Sequence, residues 1–166
     1  MPYAYLDIET DFHRQPTVVG VAFNGGAVAH LVGTDITAQR LCDLLPVNAT
    51  VVTFNGFCFD LPVLKSAIGI DIRTRYDCVD LRFLGQKLRF TGSQKDVEKL
   101  TGYRRTLTDL DGRDAVRLWS RSLRGDPQAL PTLLAYNRED VLGLRHLRGV
   151  FAGRTLSAAK TKRVKR

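Results

Sequence analysis

The sequence has 166 residues, 44% hydrophobic and 25% charged, which suits one domain with a buried core. Its 25 Lys and Arg against 17 Asp and Glu give a net charge of +8, which favours a polyanionic partner and says nothing about fold. No secretory leader opens the chain and no apolar run is long enough to span a membrane, so a soluble, intracellular, cytoplasmic protein is expected, nucleoid association being compatible with the charge.

The chain opens with Tyr3–Thr10, short, aromatic and aliphatic, which predicts a strand. Asp7 and Glu9 lie two apart in it and therefore share one face. After a polar loop, residues 17–23 and 27–32 read as two further strands, joined at Asn24-Gly25-Gly26 by a hairpin turn. Residues 35–45 read as a helix. Residues 49–54 form an apolar run suited to a buried strand, followed by Asn55-Gly56-Phe57-Cys58-Phe59-Asp60 and a helix from about Pro62 to Ile68. Residues 69–77 are expected to return to the sheet as a short fifth strand, and 78–88 to form a helix. Ser93 predicts the N-cap of a helix through Leu100, and residues 102–108 a basic loop. Two helices follow, over 110–123 with Val116, Leu118, Trp119 and Leu123 as anchors, and over 128–151 with an interruption near Pro131. Antiparallel strands first and β-α-β crossovers after imply an α/β fold, a mixed five-stranded sheet flanked by helices.

Residues 158–166 hold five of the basic side chains, leaving +3 for the rest. A domain over 1–153 and a basic, disordered tail over 154–166 are expected. The tail is either a nucleic-acid arm or a solubilising end. Cys42, Cys58 and Cys78 are odd in number and never spaced Cys-x-x-Cys, which indicates free thiols. His13, His30 and His146 are scattered and form no nucleophilic triad with any serine.

Two neighbouring carboxylates repel unless a cation sits between them, and carboxylates favour hard divalent cations. Asp60 follows a buried strand, where open α/β sheets carry their sites. Tyr136 and Asp140 are four apart on a late helix and share a face, beside the apolar stripe of Val141, Leu144, Leu147 and Phe151. Singly, each has an ordinary structural reading.

In order, Asp7-x-Glu9, Asn55-x-x-x-Phe59-Asp60 and Tyr136-x-x-x-Asp140 resemble the three motifs of the DEDD superfamily of 3′–5′ exonucleases, in the variant with Tyr in the third motif (DEDDy). Asn55 to Pro62, Asp77 to Leu84 and Tyr136 to Val141 look most like the YprB-type exonuclease domain. The resemblance implies a ribonuclease-H-like fold. It also implies removal of nucleotides from the 3′ end of DNA or RNA, single strands being the expected form. Asp7, Glu9, Asp60 and Asp140 would bind two divalent ions, Mg²⁺ or Mn²⁺, which stabilise the attacking and leaving oxygens of phosphodiester cleavage. Tyr136 would orient the attacking water, since a phenol with a pKa near 10 is a poor base at neutral pH.

Thr10 and Asn55 are candidates for holding the terminal nucleotide, and Phe57 or Phe59 for stacking on its base, core packing being the other reading of Phe59. Arg73, Arg75, Arg104 and Arg105 are either phosphate-tracking or solvated charges. Two alternatives stay open: a nucleic-acid-binding scaffold with little turnover, and a structure-selective endonuclease. A protein partner for targeting and the oligomeric state are also open.

Overall fold

The computed structural model describes the backbone of residues 2–164 and the side chains of residues 2–155. Five strands form one sheet: β1 (Tyr3–Thr10), β2 (Pro16–Phe23), β3 (Val28–Val32), β4 (Thr50–Thr53) and β5 (Asp77–Asp80), in the order β3-β2-β1-β4-β5. The first three are antiparallel, and β4 and β5 run parallel to β1, so the mixed five-stranded sheet expected from the sequence is present. β1 is central. Its two faces are divided by the strand period of two: Ala4, Leu6 and Ile8 enter one core, while Tyr5 enters another.

The first core is closed by α1 (Ala38–Leu44) and α2 (Asp60–Ile68), through Leu41, Leu61 and Leu64. The second is closed by α3 (Leu81–Lys87), α4 (Gln94–Leu100) and α6 (Ala129–Val164). The stripe Val141, Leu144, Leu147 and Phe151 on α6 is fully buried there, as its helical spacing predicts. α5 (Gly112–Leu123) lies beside the first turns of α6, its Ala115 and Leu118 clustered with Val18, Leu133 and Tyr136.

β1 pairs with β4 only over Tyr3–Tyr5, while β2 accompanies β1 to its end, with a register shift between Glu9 and Thr10. The carboxyl half of β1 therefore has an open side, and the residues after β4 turn into that space. Asp80, at the end of β5, ties this turn down. Its carboxylate accepts from the amides of Asn55 (2.8 Å), Phe57 (3.0 Å) and Arg82 (2.9 Å), and only 4% of the residue is exposed. Asn55 itself takes a left-handed φ of 63°, a conformation Asn tolerates better than most residues. Removing Asp80 strands three partly buried donors, so Asp80→Ala is expected to lower stability by about 3 kcal/mol in urea unfolding; a loss below about 1 kcal/mol would contradict the anchoring role.

The structure moves several expected boundaries. The fifth strand is Asp77–Asp80 rather than a piece of residues 69–77, which instead contain a single 3₁₀ turn at Ile72–Thr74. Pro131 does not interrupt α6: it stands in the first turn, where its missing N–H would have had no helical partner. Of the expected α5 anchors Leu118 is buried and Leu123 is exposed, and Ala115 is buried as well. The backbone of α6 continues without a break past residue 153 to Val164, while the side chains from residue 156 onward, which include the basic tail, lie outside the described residues. Among the described residues no helix is long and apolar enough to cross a membrane.

Candidate active site

Asp7 and Glu9 reach the same side of the sheet because they occupy alternate positions of β1. Asp60 opens α2 just beyond β4, and its Oδ1 accepts the amide of Ile8 at 3.1 Å, replacing the ladder bond that β4 no longer provides. Tyr136 and Asp140 descend from α6, one helical turn apart. All five line one cavity of about 490 Å³ at the carboxyl end of β1, together with Thr10, Asn55 and Phe59. Carboxylate oxygens of Asp7, Glu9 and Asp140 lie within 4.8 Å of one another. Phe57 does not line the cavity; it packs on the first core and beside Phe83, with ring centroids 6.2 Å apart. The Asn55 side chain is already engaged, accepting from Arg82 Nη1 at 2.6 Å.

The acids are burdened as they stand. Burial, then the charges of Asp140 and Asp60, hold the Asp7 carboxyl well above the usual range. Burial and Asp140 push Glu9 up to about 8, and burial pushes Asp60 up to about 7 against the pull of backbone amides. Asp140 is raised by burial against the pull of Arg105. Burial, followed by the charges of Asp140, Glu9 and Asp7, also raises the Tyr136 phenol, so it stays protonated and can donate a hydrogen bond. Lys95 Nζ stands 4.7 Å from its ring centroid and donates to the carbonyl of Leu110.

A divalent cation suits this arrangement. The donors are all hard carboxylate oxygens, they converge, and their mutual repulsion is what a cation would relieve. A pH dependence follows. Carboxyls raised above their unfolded values add stability that is complete below the unfolded values and is lost as pH rises through the folded ones. For Glu9 and Asp60 that loss runs up to about pH 7 to 8. In a chelator, the unfolding temperature is therefore expected to fall between about pH 5 and pH 8, and Mn²⁺ is expected to restore it most at the alkaline end, because it binds deprotonated ligands. A scanning-fluorimetry series with neither trend would count against a cation site.

Spacing along the chain does not reveal two parts of this site. Arg105, expected to be either a phosphate-tracking or a solvated charge, is paired inside the protein instead. It is buried, with its Nη2 2.7 Å from Asp140 Oδ1 and 2.8 Å from Glu98 Oε1, and its Nε 2.5 Å from Glu98 Oε2. Glu98 on α4 is 1% exposed and fits because Gly143 on α6 has no side chain: a Cβ there would fall 1.9 Å from Glu98 Oε1. Asn137 is the other, held between Asp7 and Glu9. It directly follows Tyr136, and that place beside the motif is the one signal of it in the sequence. Arg105 and Glu98 carry none, because their pairing with Asp140 is tertiary.

Comparison with known proteins gives two kinds of result. The family model of the RNase H superfamily matches residues 4–151. Among solved structures, the family B DNA polymerase from the hyperthermophilic archaeon Pyrobaculum calidifontis superposes with a TM-score of 0.72 at 17% identity, over 92% of this chain and 24% of the polymerase. Brucella melitensis NrnC bound to pGG superposes with a TM-score of 0.66 at 22% identity, over 97% of this chain and 76% of NrnC. The chain thus spans about a quarter of the polymerase it resembles. No curated protein sequence matches it.

Proposed function

Because the chain belongs to the RNase H superfamily, we propose that it is a metal-dependent nuclease of the DEDDy kind, similar to YprB-type domains, that removes nucleotides from the 3′ end of DNA or RNA. The observation that carries this reading is the convergence of Asp7, Glu9, Asp60, Asp140 and Tyr136 on one cavity. NrnC is bound to pGG in its structure, and a short strand with a free 3′ end is the ligand proposed for this cavity. In this reading residues 1–153 are the catalytic unit and 154–166 a basic extension of it.

Asp7, Glu9 and Asp140 would hold one divalent ion, Mg²⁺ or Mn²⁺, and Asp60 with Asp7 a second. Such ions supply Lewis acidity toward the scissile phosphate and the attacking water. The chain's own residues do the rest. Tyr136 keeps its proton and orients a water by donating to it. Thr10 and Asn55 border the cavity where a terminal nucleotide would be held, and Phe59 offers an aromatic face at its wall. Asp60 fixes its carboxylate on the Ile8 amide, so its position depends on the sheet itself.

One observation favours a second reading, a nucleic-acid-binding domain with weak turnover: Asp140 already carries an internal cation in Arg105. A cleavage time course separates the two. With 5′-labelled single-stranded DNA and RNA and Mg²⁺ or Mn²⁺, a ladder shortening from the 3′ end is expected, absent in Asp140→Ala and abolished by a blocked 3′ end. Internal fragments would indicate an endonuclease. Tight binding without any metal-dependent product would overturn the enzyme reading.

A further inference from the structure

Gly20 on β2 sits directly across the ladder from Asp7. A Cβ on it would fall 1.8 Å from Asn137 Oδ1 and 3.0 Å from Asn137 Cγ, far inside contact distance. The missing side chain is the notch into which the carboxamide of Asn137 fits. Asn137 is 0% exposed, and its Nδ2 donates to Asp7 Oδ2 at 2.9 Å and to Glu9 Oε1 at 3.3 Å. An amide nitrogen carries two N–H groups, one for each acceptor. The orientation is dictated, since the reversed amide would set its oxygen against two carboxylates.

Oδ1 is left buried without a hydrogen-bond partner, as is Nε2 of His30 on β3. Burying an unmatched acceptor is costly. Leucine would fill nearly the same volume without that cost. The cost is borne at a buried position from which a single donor group reaches both acids of β1. Asp7 and Glu9 border the cavity, whereas Asn137 stands behind them.

We propose that Asn137 is a positioning residue: it engages one oxygen of Asp7 and one of Glu9, fixes both rotamers, and leaves the remaining oxygen of each for a divalent cation. This rests on the nuclease reading above. It makes Gly20, on the neighbouring strand β2, part of the same device.

The test is Mn²⁺ titration by calorimetry, together with kcat and KM for a single-stranded oligonucleotide, on wild type, Asn137→Leu, Asn137→Ala, Gly20→Ala and the Gly20→Ala/Asn137→Ala pair. Asn137→Leu is expected to weaken Mn²⁺ binding about 10- to 100-fold and to lower kcat comparably, with KM for the oligonucleotide unchanged. Gly20→Ala is expected to do the same by displacing Asn137, and to add nothing in the Asn137→Ala background. Circular dichroism checks each fold; were Asn137→Leu unfolded, Gly20→Ala and the double variant carry the test. Wild-type Mn²⁺ affinity in Asn137→Leu, or independent effects in the double variant, would overturn the positioning role while leaving the nuclease reading intact. Absence of Mn²⁺ binding and cleavage in the wild type would overturn both.

Discussion

Asp7→Asn is expected to abolish cleavage, by on the order of 10³-fold or more, and at the same time to make the metal-free protein more stable near neutral pH. The two effects have one cause. Asp7 is the acid with a strongly raised carboxyl that faces Asp140, Asp60 and Glu9 together. In the proposed active state its charge is what a cation binds. Without the cation the same charge is half-buried among like charges, and forming it opposes folding. Asparagine keeps the shape and never ionises. Its stabilising effect should be present near neutral pH, shrink as pH falls toward the ordinary carboxylate range where the unfolded chain also takes up the proton, and reverse when Mn²⁺ is added. Chemical denaturation with and without metal, beside the cleavage assay, reads all three. A variant that cleaved at the wild-type rate would remove Asp7 from the chemistry. One that lost cleavage but was destabilised in the metal-free state would show that the carboxylate serves the fold instead.

Arg105→Ala should give the largest loss of stability of any single change near the site. Its guanidinium bridges Glu98 and Asp140, and the side chain is 6% exposed. Breaking a buried pair from one side leaves uncompensated charge, at a cost of about 3–5 kcal/mol. Here two carboxylates would be left, although Gln94 still donates to Glu98 at 2.8 Å. Glu98→Gln placed on top should recover part of the loss, because it removes one stranded charge. Urea unfolding of the two single variants and the double variant measures the coupling; additive losses would show that Arg105 and Glu98 do not act as a unit. Metal binding gives the second readout. With Arg105 removed, Asp140 loses its internal counterion, so a folded Arg105→Ala variant should hold Mn²⁺ more tightly than wild type. The same comparison decides how far Arg105 restrains turnover.

Much of this site is legible in the amino-acid sequence, for local reasons. Asp7 and Glu9 share a face because a strand alternates, and β1 spans the residues expected of it. Tyr136 and Asp140 share a face because a helix has 3.6 residues per turn. Ser93 is the N-cap its sequence suggests, closing a capping box with Asp96. The rest is set by neighbours distant in sequence. Residues 69–77 have the pattern of a strand, yet Asp71 caps a 3₁₀ turn and pairing with β4 begins only at Asp77. Pro131 has the character of a break, but a proline's effect depends on where the helix starts, and α6 starts two residues before it. Arg105 resembles any surface arginine in a basic loop. Its burial depends on Gly143 admitting Glu98, a relation between α4 and α6 that no local pattern expresses. Phe57 and Phe59 stand two apart in one motif, yet only Phe59 borders the cavity, because a turn anchored on Asp80, and not a strand, sets their directions.

The bond from the Ile8 amide to Asp60 gives the molecule a built-in reporter. That amide belongs to the central strand, where protons ordinarily leave for solvent slowly, yet its acceptor is a side chain rather than a neighbouring strand. Its exchange with deuterated solvent, and its nuclear resonance frequency, should therefore follow the state of one carboxylate. Protonating Asp60 weakens the acceptor, and drawing it toward a cation redirects its lone pairs. The flanking amides, held by β2, would barely notice. Occupancy of the site could then be followed at a single backbone position, without substrate, label or turnover.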